Sequence, residues 1–347
     1  MILTRGYIEI LKKTKIFYLK SEISYNCIDA FERCCKSKND KNNKIRENII
    51  GAIINKKIPE DFYKCEKWNN IKEAVFNFLK RFSYKNIEVI HKGGRKFNYD
   101  FDLMIDDKKY KFEYKFNCSN ITECPQFVSP MNPSKYLNMN FEEYFYDNYL
   151  DNIIKLTEYQ KPDKKIYLKE INQPNPPCMI KFKELYKKGL DKKDNESIDF
   201  MKTCRKISEK TIAEFLKIVK LDTRKLSKYL FESQKDKHFM LYKDGKFHYD
   251  QFTDNKIFNL IENSIEIKGC NFLVKTENNQ QLQIKLRWKN YNGLAFPAFQ
   301  IQKKEACKKI PTKKELIQLC KDNNISYKTR MNKNTLIELL IEHNINI

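Results

Sequence analysis

Glycine and proline are scarce here, 8 and 10 residues in a chain of 347, and neither an internal repeat nor a long low-complexity tract appears. No apolar run approaches the roughly 18 residues that a membrane-crossing helix requires. The first twenty residues, MILTRGYIEILKKTKIFYLK, break their apolar positions with charges and offer no small-residue cleavage site, so no signal peptide is expected. The 11 cysteines contain no CxxC pair, and the four histidines (His91, His238, His248, His343) do not cluster with them. An odd number of scattered cysteines argues for reduced, mostly buried thiols and against a zinc site. These absences set the expectation of a soluble intracellular protein that is not secreted.

What is abundant is apolar surface and positive charge. Hydrophobic residues at 41% and aromatics at 13% suffice for a real core, which excludes disorder over the whole chain. The length points to a main body with at least one accessory module. Lys and Arg number 67 against 45 Asp and Glu, a formal charge of +22. An AT-rich coding bias would inflate lysine, but it would usually inflate Asp and Glu as well, and here they lag. A nucleic acid is the polyanion that such a charge most readily meets inside a cell.

Along the chain, residues 1–35 place Ile8, Leu11, Ile28 and Phe31 at helical spacing. The polar run 36–47 reads as a loop opening a helix near Glu47. Residues 68–82 set Ile71, Ala74, Val75, Phe78, Leu79 and Phe82 on one helical face. The period then shortens to two: 86–91, a Gly93-Gly94 turn, 97–105 (FNYDFDLMI), a tight turn at 106–108, and 110–116 with Tyr110, Phe112, Tyr114 and Phe116 alternating against charges. A proline-rich loop (Pro125, Pro130, Pro133) leads to a helix over 141–156. Residues 180–232 read as largely helical, 239–301 as mostly strands, and 312–345 as two amphipathic helices.

The chemistry concentrates on the hairpin. Glu113 and Lys115 are two apart on one strand, so both leave the same face. Asp102 on the neighbouring strand comes within reach of Glu113, although Asp100 points to the same face and rivals it. Two carboxylates with a backbone carbonyl between them make the hard oxygen site that Mg²⁺ takes. Lys115 then stands where an ammonium can position a water or offset charge on a phosphate.

This Asp102, Glu113-Tyr114-Lys115 pattern resembles the PD-(D/E)xK (restriction-endonuclease-like) nuclease superfamily. Phe101 stands where that family often has proline before the aspartate. The resemblance covers about residues 45–170. It implies a core of helix, three strands, helix and strand, with Glu47 as the acid on the first core helix and Gln126 as a further active-site residue. Metal would be held by Asp102, Glu113 and Glu47, with Lys115 assisting the attack.

Two further segments bear on binding. Residues 283–300 read as a hairpin with Lys285, Arg287 and Lys289 on one face and Trp288 on the other; a solvated sheet face is the alternative to DNA contact. The segment resembles the C-terminal part of endonuclease-like proteins of large DNA viruses. In the tail, Thr312 and Glu315 form a capping box before the first helix. Lys328, Arg330 and Lys333 lie around the loop to the second. The arrangement resembles a SAP-type DNA-binding motif, with Asn332 where that family carries glycine; a plain helical hairpin packed on the main body is the alternative.

The expected fold is α/β (α+β): a nuclease-like core with a mixed sheet flanked by helices over 1–175, a second mixed helix and strand region over 176–305, and a C-terminal helical hairpin over 308–347. The expected function is Mg²⁺-dependent cleavage of double-stranded DNA, restriction-like or homing-type, with Mn²⁺ able to substitute. A DNA-binding protein without catalysis and an RNA-directed nuclease are the competing readings. DNA is the expected partner and no membrane is; a homodimer is compatible with the sequence. A viral origin would place the protein in the host cytoplasm or nucleus.

Overall fold

The computed structural model describes residues 5–19, 21–32, 39–92, 97–121, 129–304, 313–323, 325–328, 331–343 and 345. The chain runs α1 (Arg5–Lys13), β1 (Lys15–Tyr18), β2 (Ser21–Ser24), α2 (Asn39–Ile54), α3 (Glu66–Leu79), β3 (Ile87–His91), β4 (Phe101–Ile105) and β5 (Lys108–Phe116). Helices follow: α4 (Phe141–Asn148), α5 (Leu150–Ile154), α6 (Lys164–Glu170), α7 (Ile180–Leu190), α8 (Asn195–Ile218) and α9 (Thr223–Gln234). Strands resume with β6 (Lys237–Lys243), β7 (Lys246–Gln251), β8 (Glu266–Lys268), β9 (Asn271–Lys275), β10 (Gln281–Asn290) and β11 (Ala295–Lys303), before α10 (Lys313–Asp322) and α11 (Lys333–Glu342). The described residues thus make a mixed α/β protein with three sheets, one of them mixed.

The mixed sheet has the order β3-β4-β5-β6-β7. Its strands pair antiparallel except β5 with β6, which run parallel. A parallel pair needs a crossover, and here the crossover spans residues 117–236, including all of α4 to α9. On one face Phe101, Phe112, Tyr114, Met240 and Tyr242 meet the isoleucines of α2 (Ile49, Ile50, Ile53) and the buried stripe of α3. Phe78 of α3 packs edge-on against Phe112 and Phe247. On the other face Phe239 and Leu241 are covered by Cys118 and Ile121. Strands covered on both sides read as continuous apolar runs, and FMLY in β6 is one.

A second core joins the crossover helices to the sheet β11-β10-β9-β8, where Leu282, Ile284, Leu286 and Trp288 turn inward against Phe141, Phe145 and Phe215. The boundary expected at 175 therefore falls inside this second core. Strands β6 and β7, assigned from the sequence to the second region, complete the first sheet. Long-range parallel pairing leaves no local mark on the sequence, so only the fold reveals it.

Other expectations shift as well. Residues 15–18 and 21–24 pair as an antiparallel ribbon rather than continuing a helix. The polar run before Glu47 is already helical from Asn39, anchored by Arg46, whose guanidinium donates to the Ala30 carbonyl at 2.8 Å and lies over the Phe116 ring. Strand β4 starts only at Phe101, and the single helix expected over 141–156 is broken at Tyr149. The described residues of the tail fold as two helices around their own small cluster of Leu316, Cys320, Ile325, Leu336 and Leu340. Asn332 caps α11, accepting the Thr335 N–H at 3.0 Å. Among the described residues no helix is long and apolar enough to cross a membrane.

Gly51 lets α2 approach the sheet. A methyl group there would lie 2.2 Å from His91 Nε2 and 2.8 Å from the Tyr18 hydroxyl. The His91 ring packs edge-on against Tyr18 and Phe101, neither ring nitrogen has a hydrogen-bond partner, and burial, with Lys44 nearby, pushes it down to about 4. Gly51→Ala should overpack this contact and cost about 1–3 kcal/mol. A thermal melt checks it, and an unchanged melting temperature would mean that α2 shifts freely.

Candidate active site

Strand β5 is the platform. Its alternation sends Phe112 and Tyr114 into the core under α2 and α3, and Glu113 and Lys115 to the opposite face. The Lys115 ammonium pairs with one oxygen of Glu113. The other oxygen accepts from Lys237, 2.5 Å away on the parallel neighbour β6. In that register Lys111 faces Lys237 and Glu113 faces Phe239, so one diagonal step brings Lys237 to the carboxylate. Glu113 and Lys237 are both buried. Burial alone would raise the Glu113 carboxyl, but the two ammoniums outweigh it and hold it below its usual range. Burial likewise lowers Lys237, and Glu113 opposes that. The site thus holds a carboxylate ionised between two lysines.

Two more carboxyls converge. Asp100 sits in the bend before β4, with its Oδ2 accepting the Tyr114 N–H at 2.8 Å. Its own N–H donates to the Phe112 carbonyl at 2.9 Å. Burial, then the like charges of Glu47 and Glu113, push Asp100 up to about 7, with Lys115 pulling the other way. Glu47 reaches in from α2, where Lys44 holds it at 3.2 Å. Burial raises the Glu47 carboxyl; Lys44 and Lys115 oppose the rise and Glu113 adds to it.

Of the residues expected from the sequence, the structure brings Glu47, Glu113 and Lys115 together. The aspartate that joins them is Asp100, the rival, while Asp102 turns elsewhere. Asp102 lies opposite Lys111 and pairs with Lys92 at 3.4 Å. Burial and the Asp102 carboxylate beside it push the Tyr99 hydroxyl up, and Asp102 Oδ1 is left buried without a hydrogen bond. Gln126 lies outside the described residues. Lys237 is absent from the expected set. Its signal was a lysine at the head of the apolar alternation Phe239, Leu241, on a strand buried on both faces.

The donors suit a hard cation in chemistry: carboxylate oxygens, one of which burial first and its acidic neighbours second push up to about 7. Among the described residues, though, no three His, Cys, Asp or Glu side chains are grouped closely enough to hold an ion as they stand. At Glu113 both oxygens already carry ammoniums, Lys115 on one and Lys237 on the other, so an ion bound there would have to displace one of them.

The binding candidates are separate. On β10, Lys285 and Lys289 are exposed and Arg287 donates to Gln300 Oε1 at 2.7 Å, with Trp288 buried on the other face. In the tail Lys328 is exposed, Lys333 is half-buried, and Arg330 lies outside the described residues. Comparison with protein-family models, with characterised proteins and with solved structures finds no match to this chain.

Proposed function

We propose that the protein is a metal-dependent endonuclease acting on double-stranded DNA, with a restriction-endonuclease-like core. The observation that carries this reading is the convergence of Glu47 from α2 and Asp100 from the bend before β4 on Glu113 and Lys115 of β5. The order α3, β3, β4, β5, then α9 and a β6 parallel to β5, supports the core assignment, with the remaining crossover helices as an insertion. Asp100 and Glu113, assisted by Glu47, would hold Mg²⁺ or Mn²⁺. Such an ion supplies a Lewis acid for the phosphate and makes an attacking water more acidic.

The chain's own groups do the rest. Glu113, kept ionised by its two lysines, offers a ligand at any pH near neutrality. Lys115, once released from Glu113, places its ammonium where charge develops on the phosphate. Lys237 stays buried behind Glu113 and fixes its carboxylate plane, acting through Glu113 and not on the substrate. Asp100 Oδ2 is held by the Tyr114 N–H, and its carboxylate would complete the ligand set beside Glu113. The overall charge of +22 favours encounter with the duplex, and the β10 face and tail would add contacts.

The test is purified protein with supercoiled plasmid and Mg²⁺, run with and without EDTA. Nicking or linearisation that disappears with EDTA is the expected result. Binding without any cleavage would favour the non-catalytic reading, and a labelled RNA that is cut in preference to DNA would favour the RNA-directed one. Lys115→Ala should lower the cleavage rate by about 10²-fold or more, the scale of losing one electrostatic contact to a transition state, with DNA affinity nearly kept. A Lys115→Ala protein that cuts at the wild-type rate would remove Lys115 from the mechanism.

A further inference from the structure

The outer face of the sheet β8–β11, where Leu273 and Ala298 are buried, Gln283, Arg287, Gln300 and Gln302 half-buried and Glu266, Lys268 and Lys285 exposed, carries chemistry that the cleavage site does not use. Pairing builds it in rows: Glu266–Leu273–Gln283–Gln302, then Lys268–Asn271–Lys285–Gln300, then Arg287–Ala298. The amides are wired together. Gln302 Nε2 donates to Gln283 Oε1 at 2.9 Å, Gln283 Nε2 to Asn271 Oδ1 at 2.8 Å, and Asn271 Nδ2 to the Lys268 carbonyl at 2.9 Å. Arg287 is held in the same way by Gln300. The apolar partners Leu282, Ile284 and Leu286 all point inward.

From this we infer that the β10–β11 half of the face reads base edges in the major groove of duplex DNA. The inference rests on duplex DNA being the substrate, and makes this sheet the element that selects sequence. An amide has two donors and two acceptor lone pairs, so each linked glutamine keeps a donor and an acceptor to spare, in an orientation its neighbour already fixes. Glutamine or asparagine matches adenine N7 and N6, and arginine matches guanine O6 and N7. Alternate residues on a strand are about 6.8 Å apart, close to the rise of two base pairs. A two-stranded ribbon fits a groove about 12 Å wide, which leaves β8 and β9 over the flanking backbone. There Lys268, and Lys289 at the far end of β10, meet phosphates. Within the three rows the one carboxylate among the described residues is Glu266. No exposed aromatic ring among the described residues of these rows offers a stacking platform, so single strands are the poorer match.

The experiment uses the full chain in EDTA, so its outcome does not depend on cleavage. A pool of random-sequence duplexes is selected for binding and sequenced. The wild type should enrich a motif. Gln283→Ala with Gln302→Ala should flatten the preference at neighbouring base pairs by about tenfold, with affinity for unselected duplex changed by less than about twofold. Gln283→Glu, which keeps the side-chain volume, should lose the same preference and guards against a folding defect in the double variant. Lys289→Ala should instead weaken every duplex alike and make the salt slope of log K shallower by about 0.9. A motif unchanged in Gln283→Glu overturns the inference. So does a wild-type pool without enrichment, or tighter binding to single-stranded DNA or RNA of the same length.

Discussion

Glu113→Gln should abolish divalent-dependent cleavage, with a loss of at least about 10³-fold, because a catalytic metal ion contributes several kcal/mol and its central ligand is gone. The same position is also a structural ion pair. Glu113→Ala leaves the Lys237 ammonium buried without the carboxylate that pairs with it, and breaking one side of a buried pair costs about 3–5 kcal/mol. Glu113→Ala should therefore melt well below the wild type, and its inactivity alone would prove little. The informative protein is Glu113→Gln with Lys237→Met, which removes both charges and keeps the volume. It should regain most of the stability and none of the cleavage, read by thermal melting and by plasmid nicking on one preparation. A double variant that cuts plasmid would show that Glu113 matters only as a partner for Lys237.

Lys237 also marks how far the sequence reaches. The β4–β5 hairpin, with Glu113 and Lys115 on one face, follows from period-two alternation and a tight turn, both local. Lys237 is 124 positions from Glu113, and only the parallel pairing of β6 with β5 joins them. Glu47 was legible as an acid on the helix before the sheet. The start of that helix was not, because residues 39–44 are lysine, asparagine and aspartate, and the contacts of Arg46 with Ala30 and Phe116 that anchor the helix are distant in sequence. The choice between Asp100 and Asp102 lay beyond alternation, since both fall on the same face. What separates them is the bend over residues 98–100, which turns the Asp100 carboxyl back to Tyr114 and leaves Asp102 to Lys92. The amide rows on β8–β11 were half visible: the alternation of Lys285, Arg287 and Lys289 was plain, while their cross-strand glutamines required the register.

The second large effect separates those two aspartates. Asp100 is pushed up to about 7, by burial first and then by Glu47 and Glu113. Its folded-state value therefore exceeds the unfolded one of 3.8, so the folded protein binds the extra proton between those limits. Stability is lost as pH rises through that window, the loss is complete above about 7, and below about 4 there is none. Asp100→Asn removes the titration. It should be more stable than wild type at pH 8, by at most about 4 kcal/mol, with the margin shrinking through pH 7 and gone near pH 4. Asp102→Asn leaves Asp100 and its titration in place. Mg²⁺ should raise the melting temperature of the wild type at pH 8, since a ligand of the folded state alone stabilises it, and should raise that of Asp100→Asn much less. Cleavage should follow the same division, lost in Asp100→Asn and retained in Asp102→Asn. The opposite pattern, with Asp102→Asn inactive and Asp100→Asn active, would return the metal to Asp102, whose buried Oδ1 has no hydrogen bond.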